Sequence, residues 1–145
     1  MKHNTLSRVA ERIYWLGRYL ERMESTARLV SVNTDLMIDL PSRSPAGWGP
    51  LIDIVGAAQG FDDLYPEATE QNVVWFLVGD ERNAGSIRQS SRAARENART
   101  IRDLMPRLAF EIINDLNRFC EDSMTRPMSR SRRVDLLGEV AKRVQ

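Results

Sequence analysis

ERIYWLGRYLERMESTARLV, Glu11 to Val30, is the stretch on which the fold turns. Its apolar residues belong to a longer series, Leu6, Val9, Ile13, Leu16, Leu20, Met23, Ala27 and Val30, with Met37 following after a gap at Thr34. The steps alternate between three and four, the spacing of one helix face. The series predicts a helix from near Thr5 or Ser7 to about Asp39. A seam of that period packs lengthwise against partner helices at a shallow angle. Gly17 inside such a helix costs up to about 1 kcal/mol against alanine, and close approach of another helix is the expected compensation.

Two further series run along the same helix. Glu11, Tyr14, Arg18, Glu21, Ser25 and Arg28 form one polar strip beside the seam. Arg8, Arg12, Trp15, Tyr19, Arg22 and Thr26 form another on its other flank. Arg18 with Glu21 is spaced for a local ion pair worth about 0.3–0.5 kcal/mol, and Glu21 with Arg28, further along the same strip, is the other bridge expected. These strips read in two ways: as a solvated, salt-bridged face, or as a polar layer facing another helix and suited to an anionic ligand.

Beyond Asp39, PSRSPAGWGP reads as loop, and Pro50 suits the first turn of a short helix reaching about Gln59. GFDDLYPEAT reads as loop. Thr69 is placed to cap a helix over Glu70–Val78, and GDERNAG is a turn. Ser86 and Gln89 have the spacing of a capping box at the start of a second long helix reaching Asp122. Its seam is Ile87, Ser91, Ala94, Ala98, Ile101, Met105, Leu108 and Ile112, shifting register to Leu116 and Phe119. Pro106 should kink or split this helix, because it lacks an N–H and clashes with the preceding turn. SMTRPMSRSRRV reads as a polar, basic, mobile stretch, followed by a short amphipathic helix carrying Leu136, Leu137, Val140 and Val144. No strand pattern competes. The fold class is therefore all-α, an antiparallel helical bundle with two long helices and shorter connecting helices. The division expected is a helical domain over 1–123 and a basic tail over 124–145.

Composition sets the outer limits. At 145 residues with net charge +1, the chain is one domain with no general pull toward nucleic acid. No run approaches about 18 apolar residues, so no membrane-spanning helix is expected. Charges interrupt MKHNTLSRVAERIYW too early for a secretory signal, and the single cysteine, Cys120, reads as cytoplasmic. From Arg126 to Gln145 six basic residues face two acids, so that segment carries +4 while the rest carries −3. Its arginines keep nucleic-acid binding open as an alternative. Apart from Lys2 and Lys142, every basic side chain other than the sole histidine, His3, is an arginine.

Catalytic patterns are scarce. A di-iron bundle needs inward Glu-x-x-His pairs, and none is present. There is no zinc spacing and no glycine-rich phosphate loop, so no metal or cofactor is expected. Cys120 has no histidine to activate it and reads as a half-buried residue at a helix end. Trp15, Trp48 and Trp75 read as core or interface anchors.

The motifs carry a resemblance. LSRVAERIYWLGRYLERMESTARLV, then LIDIVG, VVWFLVGDERNAGSI and SRAARENARTIRD, resemble the bacterial alpha-E domain family in order and spacing, over roughly residues 6–120. The resemblance implies an all-helical cytoplasmic protein. It also implies ATP-grasp-like and transglutaminase-like partners in a peptide or amide-bond forming and processing system. It supplies no catalytic residues. Family members resembling this chain are about twice as long, so a homodimer replacing the second half is expected.

The function expected is accordingly an interaction or accessory subunit, with no enzymatic activity assigned to the chain alone. The residues expected to meet a ligand or partner are Glu11, Tyr14, Arg18, Glu21 and Arg28 on the first helix and Arg95, Glu96, Arg99 and Asp103 on the second. The alternative is a ligand-binding or catalytic site between those two helices.

Overall fold

A computed structural model describes residues 2–39 and 47–144. Among them all regular structure is helical: α1 (Lys2–Asp39), α2 (Gly49–Ile54), α3 (Ala58–Leu64), α4 (Glu70–Val78), α5 (Ile87–Thr100), α6 (Arg107–Ser123) and α7 (Arg130–Val144), with a 3₁₀ turn at Arg102–Leu104. Most of the loop expected between α1 and α2 lies outside the described residues.

The 38-residue α1 is the spine. α5 and α7 pack against it, and α6 packs against both of them. The seam is buried where partners reach it: Leu16, Met23, Ala27 and Val30. Thr34, at the gap in the seam, is also buried and donates its hydroxyl to the Val30 carbonyl at 2.7 Å. Toward the N-terminus the seam outruns its partners, leaving Leu6 and Ile13 more than half exposed. Gly17 corrects its reading: it lies on the exposed side, and a Cβ there would meet nothing within 4 Å.

The main core gathers Met23, Ala27 and Val30 with Trp48, Phe61, the buried face of α4, and Leu136, Leu137 and Val140 of α7. A smaller core joins Leu16 to Ala94, Ala98, Phe110 and Ile113. The alanines of α5 are the short side chains that let α1 come close.

Local signals explain the boundaries. Thr69 accepts from the Asn72 N–H, and Ser86 accepts from the Gln89 N–H, each capping its helix. The capping box is one-sided, because the Gln89 amide donates to the Glu81 carbonyl, and the Ser86 N–H donates to Asn83. Pro106 splits the second long helix, and α6 folds back along α5. The reversal explains why Leu108 and Ile112, which continue the seam of α5 in sequence, end up exposed.

Two segments differ from their readings. Ala58–Leu64, read as loop after Gln59, is helical and buries Phe61 in the main core. The basic stretch read as mobile enters α7 at Arg130, and Arg133 is 3 % exposed. Both owe their order to partners distant in sequence.

Candidate functional site

The turn between α4 and α5 is built by its own polar residues. Asp80 is 3 % exposed, and its carboxylate accepts from the Tyr65 hydroxyl at 2.5 Å and from Arg82 Nε and Nη2, both at 3.0 Å. The Arg82 N–H adds a fourth bond at 2.9 Å. Burial pushes the Asp80 carboxyl up, but the Arg82 guanidinium, the Tyr65 hydroxyl and the Arg82 N–H outweigh it, so it sits below the usual range. Burial, and then the bond and charge of Asp80, push Tyr65 up to about 12. Asn83 donates to the Phe76 carbonyl at 2.7 Å and accepts from the Gly85 N–H at 3.0 Å. With Ser86 as the cap of α5, Asp80, Asn83 and Ser86, spaced three apart within VVWFLVGDERNAGSI, all serve this turn.

Arg95, Glu96 and Asn97 diverge around α5. Arg95 Nε donates to Asn114 on α6 at 2.7 Å. Glu96 pairs with Arg99, whose hydrogen bond is the main reason its carboxyl lies below the usual range. Asn97 faces α1 beside Arg12.

Of the two strips on α1, the one holding most of the expected site is the outer one. Glu11, Tyr14, Arg18, Glu21, Ser25 and Arg28 are all exposed. Arg18 pairs with Glu21 at 3.4 Å, as spaced, whereas Arg28 turns to Glu24 at 2.7 Å rather than to Glu21. Asp103 sits exposed in the 3₁₀ turn. Glu11 and Glu96 are the two expected residues that reach the α1–α5 groove, while Arg18, Arg28, Arg95 and Arg99 do not converge on one point.

The other strip lines that groove. Two open hollows of about 420 and 670 Å³ share Trp15 and Tyr19. Arg8, Arg12 and Asn97 border the first, and Arg22, Arg82, Arg92 and Ala93 border the second. Trp15 remains 40 % exposed, a large aromatic surface to leave in water. Its ring centroid stands 6.0 Å from that of Tyr19, and the Arg22 guanidinium lies over the Tyr19 ring at 5.9 Å. The strip was readable as a helical series. Its position over α5 was not, because that depends on how α1 is rotated about its axis. Arg92 belongs to the polar set that the second long helix offers in sequence, whereas Arg82, supplied by a turn, is placed at the groove only by the fold.

The basic C-terminal segment has a structural task. Arg130 Nε and Nη2 grip Glu70 at 3.0 and 2.7 Å, and Arg133 Nη2 donates to Glu70 at 2.7 Å and to Thr34 at 3.0 Å. These bonds tie α7 to α4 and α1. Cys120, read as half-buried, is fully buried. Among the described residues no three His, Cys, Asp or Glu side chains gather as a metal site, and no helix is long and apolar enough to cross a membrane.

A family model, Alpha-E, described as a predicted alpha-helical domain with a conserved ER motif, matches residues 5–145. The match extends past the 6–120 of the sequence resemblance and takes in α7. No curated protein and no solved structure matches. The chain carries Glu-Arg three times, at 11–12, 21–22 and 81–82, and the arginine of each borders the α1–α5 groove.

Proposed function

The chain belongs to the Alpha-E family of helical domains, and we propose that it acts as an interaction subunit whose docking surface is the α1–α5 groove. The partners are the ATP-grasp-like and transglutaminase-like proteins of a bacterial peptide or amide-bond forming and processing system, as the sequence resemblance implies. One observation carries the reading: Trp15 and Tyr19 lie side by side in an open groove, with arginines at both ends. Aromatic and arginine side chains are the residue types that dominate protein interfaces. An open trough also suits a protein surface better than a small substrate, which is held by enclosing most of its area.

Mixing the purified chain with the ATP-grasp-like protein of its host, followed by sedimentation, tests this. The expected result is a complex that a Trp15→Ala, Tyr19→Ala double variant fails to form while keeping its helical circular dichroism. An undiminished complex with that variant overturns the reading.

A second observation favours self-association. Leu6, Ile13, Leu104, Leu108 and Ile112, on the first turns of α1 and around the α5–α6 turn, are 48–67 % exposed. Burying them against a second copy gives a two-fold dimer. Sedimentation of the chain alone is expected to show dimers, and a clean monomer at high micromolar concentration rules them out.

A further inference from the structure

We propose that the α1–α5 groove seats an acidic amphipathic helix presented by the partner protein, an inference that rests on the docking role proposed for this groove. Along the groove most ionic groups are already matched. Glu96 is held by Arg99, Glu81 by Arg88 at 2.8 Å, Arg82 by Asp80 at 3.0 Å and Arg92 by Glu121 at 2.8 Å. Arg8, Arg12 and Arg22 form no ion pair among the described residues, and neither does Glu11. The surplus is therefore cationic and confined to one strip of α1.

Geometry gives the occupant its form. At 1.5 Å rise per residue, Arg12 and Arg22 stand roughly 15 Å apart, and Arg8 and Arg22 roughly 21 Å. Trp15 and Tyr19 fall between them. The groove runs along two packed helices, and the element that fits lengthwise against such a pair is a third helix. A helix about 14 residues long spans Arg8 to Arg22. Its apolar face, at helical spacing, rests on Trp15, Tyr19 and Ala93. Carboxylates about ten residues apart meet Arg12 and Arg22, and one a turn beyond meets Arg8. Arginine binds carboxylate in two-point fashion, which fixes register as well as charge. Nucleic acid fits less well, because a continuous run of phosphates would also pass Glu11, which no cation among the described residues pairs, whereas a helix can place its carboxylates only opposite Arg8, Arg12 and Arg22.

The test uses the full chain and two synthetic peptides of about 16 residues with one leucine seam, flanked by glutamate in one and lysine in the other. Binding is followed by calorimetry, beside a single-stranded RNA of similar length. The glutamate peptide is expected to bind at least about tenfold more tightly than its lysine twin. An Arg12→Glu, Arg22→Glu double variant should invert that order. The milder Arg12→Gln, Arg22→Gln pair should erase it with the helical signal unchanged. Equal binding of both peptides, binding of neither, a preference the variants leave intact, or tighter binding of the RNA each overturns the inference. The partner complex and its loss in the Trp15, Tyr19 variant report on docking separately. If that complex forms while the peptides are not distinguished, only the acidic-helix inference falls.

Discussion

Arg133 Nη2 donates to Glu70 Oε1 across 2.7 Å, although the two residues stand 63 positions apart. The guanidinium is buried and lies over the Trp48 ring at 5.4 Å, so Glu70 is the charge that balances it inside the fold. Arg130 closes the same carboxylate from the exposed side. The first turns of α4 and α7 are thereby joined to each other and, through Thr34, to the C-terminal part of the spine.

Removing Glu70 leaves Arg133 buried without its counter-charge. Breaking a buried pair costs about 3–5 kcal/mol, and the partial exposure of Glu70 brings Glu70→Ala to about 2–3 kcal/mol. Arg130→Ala, on the exposed rim, should cost less than about 1 kcal/mol. Arg130 above all, and Arg133 after it, hold the Glu70 carboxyl below the usual range against the effect of burial. A depressed carboxyl contributes stability above its unfolded-state pKa and loses it as pH falls through the folded value. Urea unfolding should show the wild type weakening on acidification below the ordinary glutamate range. The Glu70→Gln variant should lose less over the same interval.

Legibility followed the range of the cause. Thr69 and Ser86 were readable as caps because a cap acts over three residues, and Pro106 as a break because its clash lies within one turn. The seam of α1 named its core face through Met23, Ala27 and Val30. Periodicity gives a face, not the reach of its partners, so Leu6 and Ile13 were assigned to a core that ends before them. Gly60 and Pro66 made α3 look like loop, while the force ordering it is burial of Phe61 beneath Phe76. Arg130 and Arg133 looked solvated because Glu70 is sixty positions or more away. Within the candidate site, the aromatic–arginine strip was visible and its orientation was not.

Two glycines give opposite outcomes on the same substitution. Gly17→Ala places a methyl in open space on an exposed helix, so the reduced unfolded-state entropy should stabilise the protein by about 0.5–1 kcal/mol. At Gly79 a Cβ would come within 2.6 Å of the Trp75 ring and 2.8 Å of the Met124 carbonyl. Its φ of −126° is open to any residue, so the obstacle is space alone. Gly79→Ala should cost about 1–3 kcal/mol through overpacking. Thermal unfolding of the two variants beside the wild type separates the cases.

Tyr65 should ionise late. Burial and Asp80 push its hydroxyl up to about 12 from an ordinary value of 10.0. A raised pKa favours the protonated, folded form, so this contribution is complete below the ordinary tyrosine value and fades as pH climbs toward the folded one. An absorbance titration of tyrosinate should therefore contain a late component that Tyr65→Phe removes. Asp80→Asn should move that component to lower pH, since it deletes the charge next to the hydroxyl while burial still acts. A titration curve unchanged by both substitutions would refute the Asp80–Tyr65 coupling.

Cys120 offers a clock for the opening of the core. It is fully buried on α6 within the main cluster, and burial pushes its thiol up to about 12 despite help from the Ser91 hydroxyl. The thiolate is the reactive species, so at neutral pH the folded protein presents neither the ionised form nor access to it. A thiol reagent should leave the native chain unmodified over minutes and label it at once in denaturant. The slow native rate should rise in Glu70→Ala, whose loss of the α4–α7 tie makes opening more frequent, and fall in Gly17→Ala. Rapid labelling of the native wild type would mean that the helices around Cys120 do not close over it as described.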